Sequence, residues 1–118
     1  MLGQSKVLGQ VLRDAREIVR DHWGSTNVEL SLGNTSGTHC ASVAIGRVCG
    51  GDSLDDVSVA AHKVLLIAAD VSVPETDKEV LRAVFEFNDA QVSRGPVLAA
   101  FDRAIEMVDG AASWTEKA

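Results

Sequence analysis

The residues of this chain best suited to chemistry are two cysteines, Cys40 and Cys49, and three histidines, His22, His39 and His62. Cys40 comes first, because a thiol in the first turn of a helix meets the positive end of the helix dipole and ionises more easily. As a thiolate it would be the nucleophile of a hydrolase or transferase, with His39 adjacent and His22 or His62 brought up by the fold as a base. The residues around Cys40 match no known cysteine-enzyme pattern. A buried structural thiol is therefore the leading expectation, and no catalytic residue is assigned.

His39, Cys40, Cys49 and His62 are also the soft ligands from which a zinc site would be built. If residues 38 to 49 form one helix, however, Cys40 and Cys49 stand about 13.5 Å apart along its axis and half a revolution around it. That separation suits neither a shared ion nor a disulfide. His39 and His62 are then expected at helix margins, with no metal bound. Gly46, Gly50 and Gly51 lack the Lys-Ser/Thr ending of a phosphate loop, and no cofactor is expected.

Arg13, Arg16 and Arg20 fall on one side of a first helix, with Lys6 close to that line, as a phosphate-reading face would require. Asp14, Glu17 and Asp21 interleave with them, and Arg13 with Glu17 is an ordinary i,i+4 pair. A solvated face of weak ion pairs is the simpler reading. Asn88 is the most informative polar residue, since its helical position points inward and a buried amide demands partners. It is expected to tie the fourth helix across the turn at 88 to 93, with Asp89 helping.

These groups are positioned by elements that the apolar pattern outlines. Val7, Leu8, Val11, Leu12, Ala15, Ile18 and Val19 recur at spacings of three and four, predicting an amphipathic helix over 5 to 22 that stops near Trp23-Gly24. Val28-Glu29-Leu30-Ser31-Leu32 alternates with the period of a strand, and Gly33-Asn34 follows as a turn. A short helix begins at Thr38 or Ser36 and ends at Gly50-Gly51. Ser53 then caps a third helix on which Leu54, Val57, Ala61, Val64, Leu65 and Ala68 share one face, widened by Leu66 and Ile67. Thr76 and Glu79 form a capping box for a fourth helix with Leu81, Val84 and Phe85 in line. Ser93 and Pro96 open a fifth, whose stripe Val97, Leu98, Phe101, Ile105 and Val108 runs to Asp109-Gly110. The fold class is mainly α: a compact bundle of about five helices with one short β-strand or hairpin inserted after the first helix.

A chain of 118 residues, 46% hydrophobic and 24% charged, suits a single domain over 1–118. Its core is expected over about 5–109, with 110–118 a frayed tail against which Trp114 could fold back. With two Trp, three Phe and no Tyr, that core must be aliphatic. A net charge of −6 and a pI near 4.9 repel phosphate backbones and anionic headgroups, which disfavours nucleic acid and membrane as partners. Met1 to Lys6 shows no basic segment leading into an apolar run, and two cysteines fit a reducing compartment. A cytoplasmic location is the expectation.

The segments Cys40-Ala41-Ser42-Val43-Ala44-Ile45-Gly46, Phe87-Asn88-Asp89-Ala90 and Val97-Leu98-Ala99-Ala100-Phe101-Asp102-Arg103-Ala104-Ile105 resemble an uncharacterised domain family of actinobacteria and their bacteriophages. Members of that family typically show Cys-Ala-Leu-Gly-Ala in one helix, then Trp-Asn-Asp before a Leu-rich final helix ending Asp-Arg-Ala. The likeness spans about 7 to 108. It departs at Phe87, where Trp is usual, and at Gln91-Val92-Ser93, where Pro-Gly-Arg is typical. The resemblance implies a helical domain of actinobacterial or phage source and supplies no activity.

Function is expected to be that of a small non-enzymatic protein-interaction module, phage-encoded and docking on a host protein or, as a homodimer, on itself. Its candidate surfaces are Val28, Leu30 and Leu32 on the strand, and Trp114 in the tail. The alternatives are the cysteine-dependent enzyme at Cys40 and a nucleic-acid-binding regulator on the Arg13/Arg16/Arg20 face.

Overall fold

In a computed structural model of the chain, the backbone is described for residues 2–23, 40–50 and 55–117, and side chains for 7–23, 40–50 and 55–110. The described residues form five helices and no strand: α1 (Leu2–His22), α2 (Ala41–Val48), α3 (Asp56–Ala68), α4 (Asp77–Asp89) and α5 (Arg94–Lys117). The strand or hairpin expected around Val28, Leu30 and Leu32 lies outside the described residues, as do His39, Thr38, Ser36 and Ser53.

α1 lies along α5 and packs directly against α2, while α3 packs against both α1 and α5 and holds α4 to them. The apolar stripe explains this arrangement. Val11, Leu12, Ala15 and Val19 of α1 are buried against a core that includes Ile45, Leu65, Leu66, Val80, Val84, Val97, Phe101 and Val108. The backbone radius of gyration is 13.6 Å, in line with about 13 to 14 Å for a domain of this length. Gly9 is buried where α1 meets the later part of α5. A Cβ there would stand 3.1 Å from the Arg13 guanidinium and 3.5 Å from the Asp109 carboxylate.

Helix ends follow local chemistry, with some corrections to the expected caps. Thr76 caps α4, its hydroxyl accepting from the Glu79 backbone N–H at 3.3 Å. Asp55 rather than Ser53 caps α3, accepting from Val57 N–H at 3.1 Å. α3 ends in a Schellman turn: Asp70 N–H donates to Ile67 C=O and Val71 N–H to Leu66 C=O. Asp70 takes the left-handed conformation, φ 62°, in the place where glycine is usual. Gly50, φ 88°, ends α2 as its type suggests. α5 continues through Asp109-Gly110 to Lys117 instead of stopping there.

The register of two stripes also differs from expectation. On α4 the buried line is Val80, Val84 and Asn88, at strict i,i+4 spacing, while Leu81 and Phe85 are half-buried. Val7 is 51% and Ile67 52% exposed, so both leave the core face on which periodicity placed them. Each lies at the edge of an arc that the neighbouring helices do not cover.

Candidate functional site

Two of the residues singled out for chemistry, Cys40 and Asn88, meet at the start of α2. Cys40 is the N-cap of that helix, not a first-turn residue: its backbone is extended and its Sγ accepts from Val43 N–H at 3.5 Å. Cys40 is fully buried. The next N–H, that of Ala41, donates to Asn88 Oδ1 at 3.1 Å, and the same oxygen accepts from Trp23 Nε1 at 2.8 Å. Asn88 Nδ2 donates to Asp89 Oδ1 at 3.3 Å. One amide oxygen thus joins the end of α1, the start of α2 and the end of α4, three elements distant in the chain. Across the turn at 88 to 93, the Asn88 backbone carbonyl accepts from Gln91 N–H at 3.2 Å. Because Ala41 and Val43 already donate to protein atoms, these two N–H groups of α2 are taken from any incoming anion.

A second polar cluster was not legible as a site. His62 is fully buried in the middle of α3, not at a helix margin. Its Nδ1 lies 2.7 Å from the Ser58 carbonyl oxygen, which can only accept, so Nδ1 carries the hydrogen. Nε2 is then the acceptor, and the Ser42 hydroxyl, 2.7 Å away, donates to it. Burial holds the His62 imidazole below its ordinary pKa, with the Ser58 hydrogen bond working weakly the other way. A hydroxyl donating to an oriented neutral imidazole is the arrangement of a nucleophile and its base. Here both partners are buried, Ser42 at 1% exposure, so the pair ties α2 to α3 beyond the reach of a substrate. The available signal was a histidine one turn from Ser58 and three residues before Leu65, on the apolar arc, where it must find partners.

Ser58 Oγ is itself buried without a hydrogen bond of normal geometry, and its influence on Cys49 is weak. Ser58→Ala removes an unsatisfied hydroxyl and improves helix propensity, so it is expected to stabilise the fold by about 1 kcal/mol, measured by urea denaturation. Equal or lower stability would show that the hydroxyl is satisfied in solution.

Cys49 caps the other end of α2 and is half-buried. Burial pushes its thiol above the usual range, and Asp55 adds to the rise. Both cysteines are free, and among the described residues no group of three His, Cys, Asp or Glu side chains could hold a metal ion. Under native conditions a thiol reagent is expected to label Cys49 slowly and Cys40 only after unfolding. Rapid native labelling of Cys40 would restore the nucleophile reading.

The arginine stripe of α1 is paired with carboxylates, two of them across to α5. Arg13 pairs with Asp109, not with Glu17, and Arg16 bonds Asp102 at 2.5 Å. Arg20 takes Glu17 at 2.7 Å and Asp21 at 3.1 Å, while Arg94 Nη1 donates to the Arg20 carbonyl at 2.6 Å. The stripe presents alternating charge in place of a basic face.

Among the described residues a groove of about 250 Å³ lies between the end of α3, the end of α4 and the first turns of α5. Ala68, Ala69, Phe87, Pro96, Ala99 and Ala100 line it, with Arg103 completing the wall. Arg103 Nη1 donates to the Ala68 carbonyl at 2.8 Å, capping α3 from another helix. Short alanine pairs on two distant helices carry no sequence signal for a groove. The interaction surfaces expected from sequence, Val28, Leu30 and Leu32 with Trp114, lie outside the residues whose side chains are described. No described helix is long and apolar enough to cross a membrane.

A family model described as a family of unknown function, DUF6197, matches residues 5–107. No curated protein and no solved structure matches the chain.

Proposed function

We propose that this chain, which belongs to the DUF6197 family of unknown function, is a protein-interaction module that docks on a partner without catalysing a reaction. The groove between α3, α4 and α5 carries this reading. It is a concavity open to solvent among the described residues, and six of its seven lining residues are apolar, with backbone and guanidinium polar atoms sharing the surface. The groups with catalytic character, Cys40, Ser42 and His62, are by contrast buried, Ser42 bonding His62 across α2 and α3 and Cys40 accepting from Val43 N–H of the helix it caps. At 250 Å³ the groove falls below the usual range of about 300 to 1,000 Å³ for cofactor and drug-sized sites. That size suits one anchoring side chain of a protein. The proposed partner is a host protein, a reading supported by the resemblance of the sequence to actinobacterial and phage domains.

Ala99 is exposed at the groove, so Ala99→Trp fills it without entering the core. Immobilised wild type is expected to retain at least one protein from an actinobacterial lysate that the Ala99→Trp variant does not, by quantitative mass spectrometry. Identical retention by both proteins overturns the groove as the docking surface.

A further inference from the structure

The geometry points to a peptide's C-terminal residue as the occupant of this groove: an apolar side chain against the alanine floor, its α-carboxylate on Arg103. The inference rests on the docking reading above and names the chemistry of the partner.

Arg103 is distinguished as the one charged side chain among the residues that line the groove. In a chain of net charge −6, Arg13, Arg16 and Arg20 of α1 each take a carboxylate. Arg103 is exposed, and among the described residues no carboxylate pairs with it. A guanidinium has five N–H donors, and the bond to the Ala68 carbonyl uses one. That bond also anchors the side chain at the groove wall, so less rotamer freedom remains to be lost when a carboxylate binds.

The occupant must therefore be apolar where it enters and negative where it meets the guanidinium. A groove of this volume leaves little distance between those two features. A C-terminal residue places a side chain and a carboxylate on one Cα, the shortest spacing a polypeptide offers. A run of acidic side chains is disfavoured, because the domain's own negative charge repels it. A long-chain fatty acid would leave most of its chain in water in a site this small.

The test uses fluorescently labelled hexapeptides of neutral composition ending in Leu, Val or Phe, each as free acid and as C-terminal amide, with binding followed by polarisation. At least one free acid is expected to bind saturably to the whole domain. Its amide should bind about tenfold more weakly or worse, the scale of a lost charge-assisted hydrogen bond. Ala99→Trp should abolish binding while leaving Tm unchanged, since it keeps the Arg103 to Ala68 bond. Arg103→Met should also abolish it, and its Tm reports separately the loss of that helix cap. No saturable binding by any free acid, amide equal to acid, or preference for an amidated peptide with an internal Leu-Asp would each overturn the inference. A lysate protein lost on Ala99→Trp while amide and acid bind alike would leave docking standing and remove the carboxylate.

Discussion

Asn88→Ala is expected to destabilise the domain by about 3 kcal/mol, because two donors, Trp23 Nε1 and Ala41 N–H, lose their common acceptor at about 1 to 3 kcal/mol each. For a chain of this size that corresponds to a fall in Tm of roughly 10 °C. Stability would be measured by urea denaturation with an unchanged m-value, which separates lost stability from a changed end state. The loss should be localised as well as global. Backbone hydrogen exchange at Ala41 is expected to accelerate more than exchange in the middle of α5, since the start of α2 loses its tether first. A loss below about 1 kcal/mol would mean that water replaces the amide oxygen at little cost, and the tie would be incidental.

The second large effect is a pH dependence set by His62. In the folded protein burial holds the imidazole neutral, whereas in the unfolded chain it titrates near its ordinary value of 6.5. Below that pH the unfolded state binds a proton that the folded state does not, so stability rises with pH across the window. The contribution is complete above about 6.5 and is lost progressively as pH falls toward the depressed folded value, at up to about 1.4 kcal/mol per pH unit. His62→Gln retains an acceptor and a donor without titrating. Its stability is expected to fall less steeply than wild type between about pH 6.5 and 5, and the difference between the two curves isolates His62 from the other ionisable groups. Parallel curves would place the imidazole in contact with solvent.

Much of this fold was legible because helices are local objects. The spacing of Val11, Leu12, Ala15 and Val19 outlines α1, and Thr76 with Glu79 starts α4 where the capping box puts it. Errors arose where two adjacent faces were both apolar. On α4 periodicity could not choose between Leu81 and Val80, and packing against α3 decided for Val80. Asp70 hides a helix end because the Schellman turn is a backbone arrangement that any residue tolerating left-handed φ can enter.

The candidate site was legible only by residue type. Asn88 on an apolar line had to be satisfied, but its partners lie 65 and 47 positions away, at Trp23 and Ala41. His62 finds Ser42 at a separation of 20, Arg13 finds Asp109 at 96, and Arg103 reaches Ala68 at 35.

The order of residues by itself determined where helices form, which face of each is apolar, and which polar groups cannot be left without partners. These follow from a periodicity of 3.6 residues and from the chemistry of a few neighbouring side chains. Which donor meets which acceptor, and where alanines from two helices open a groove beside a guanidinium, was decided only when the helices packed. Such contacts depend on distances through space between segments that share no local pattern.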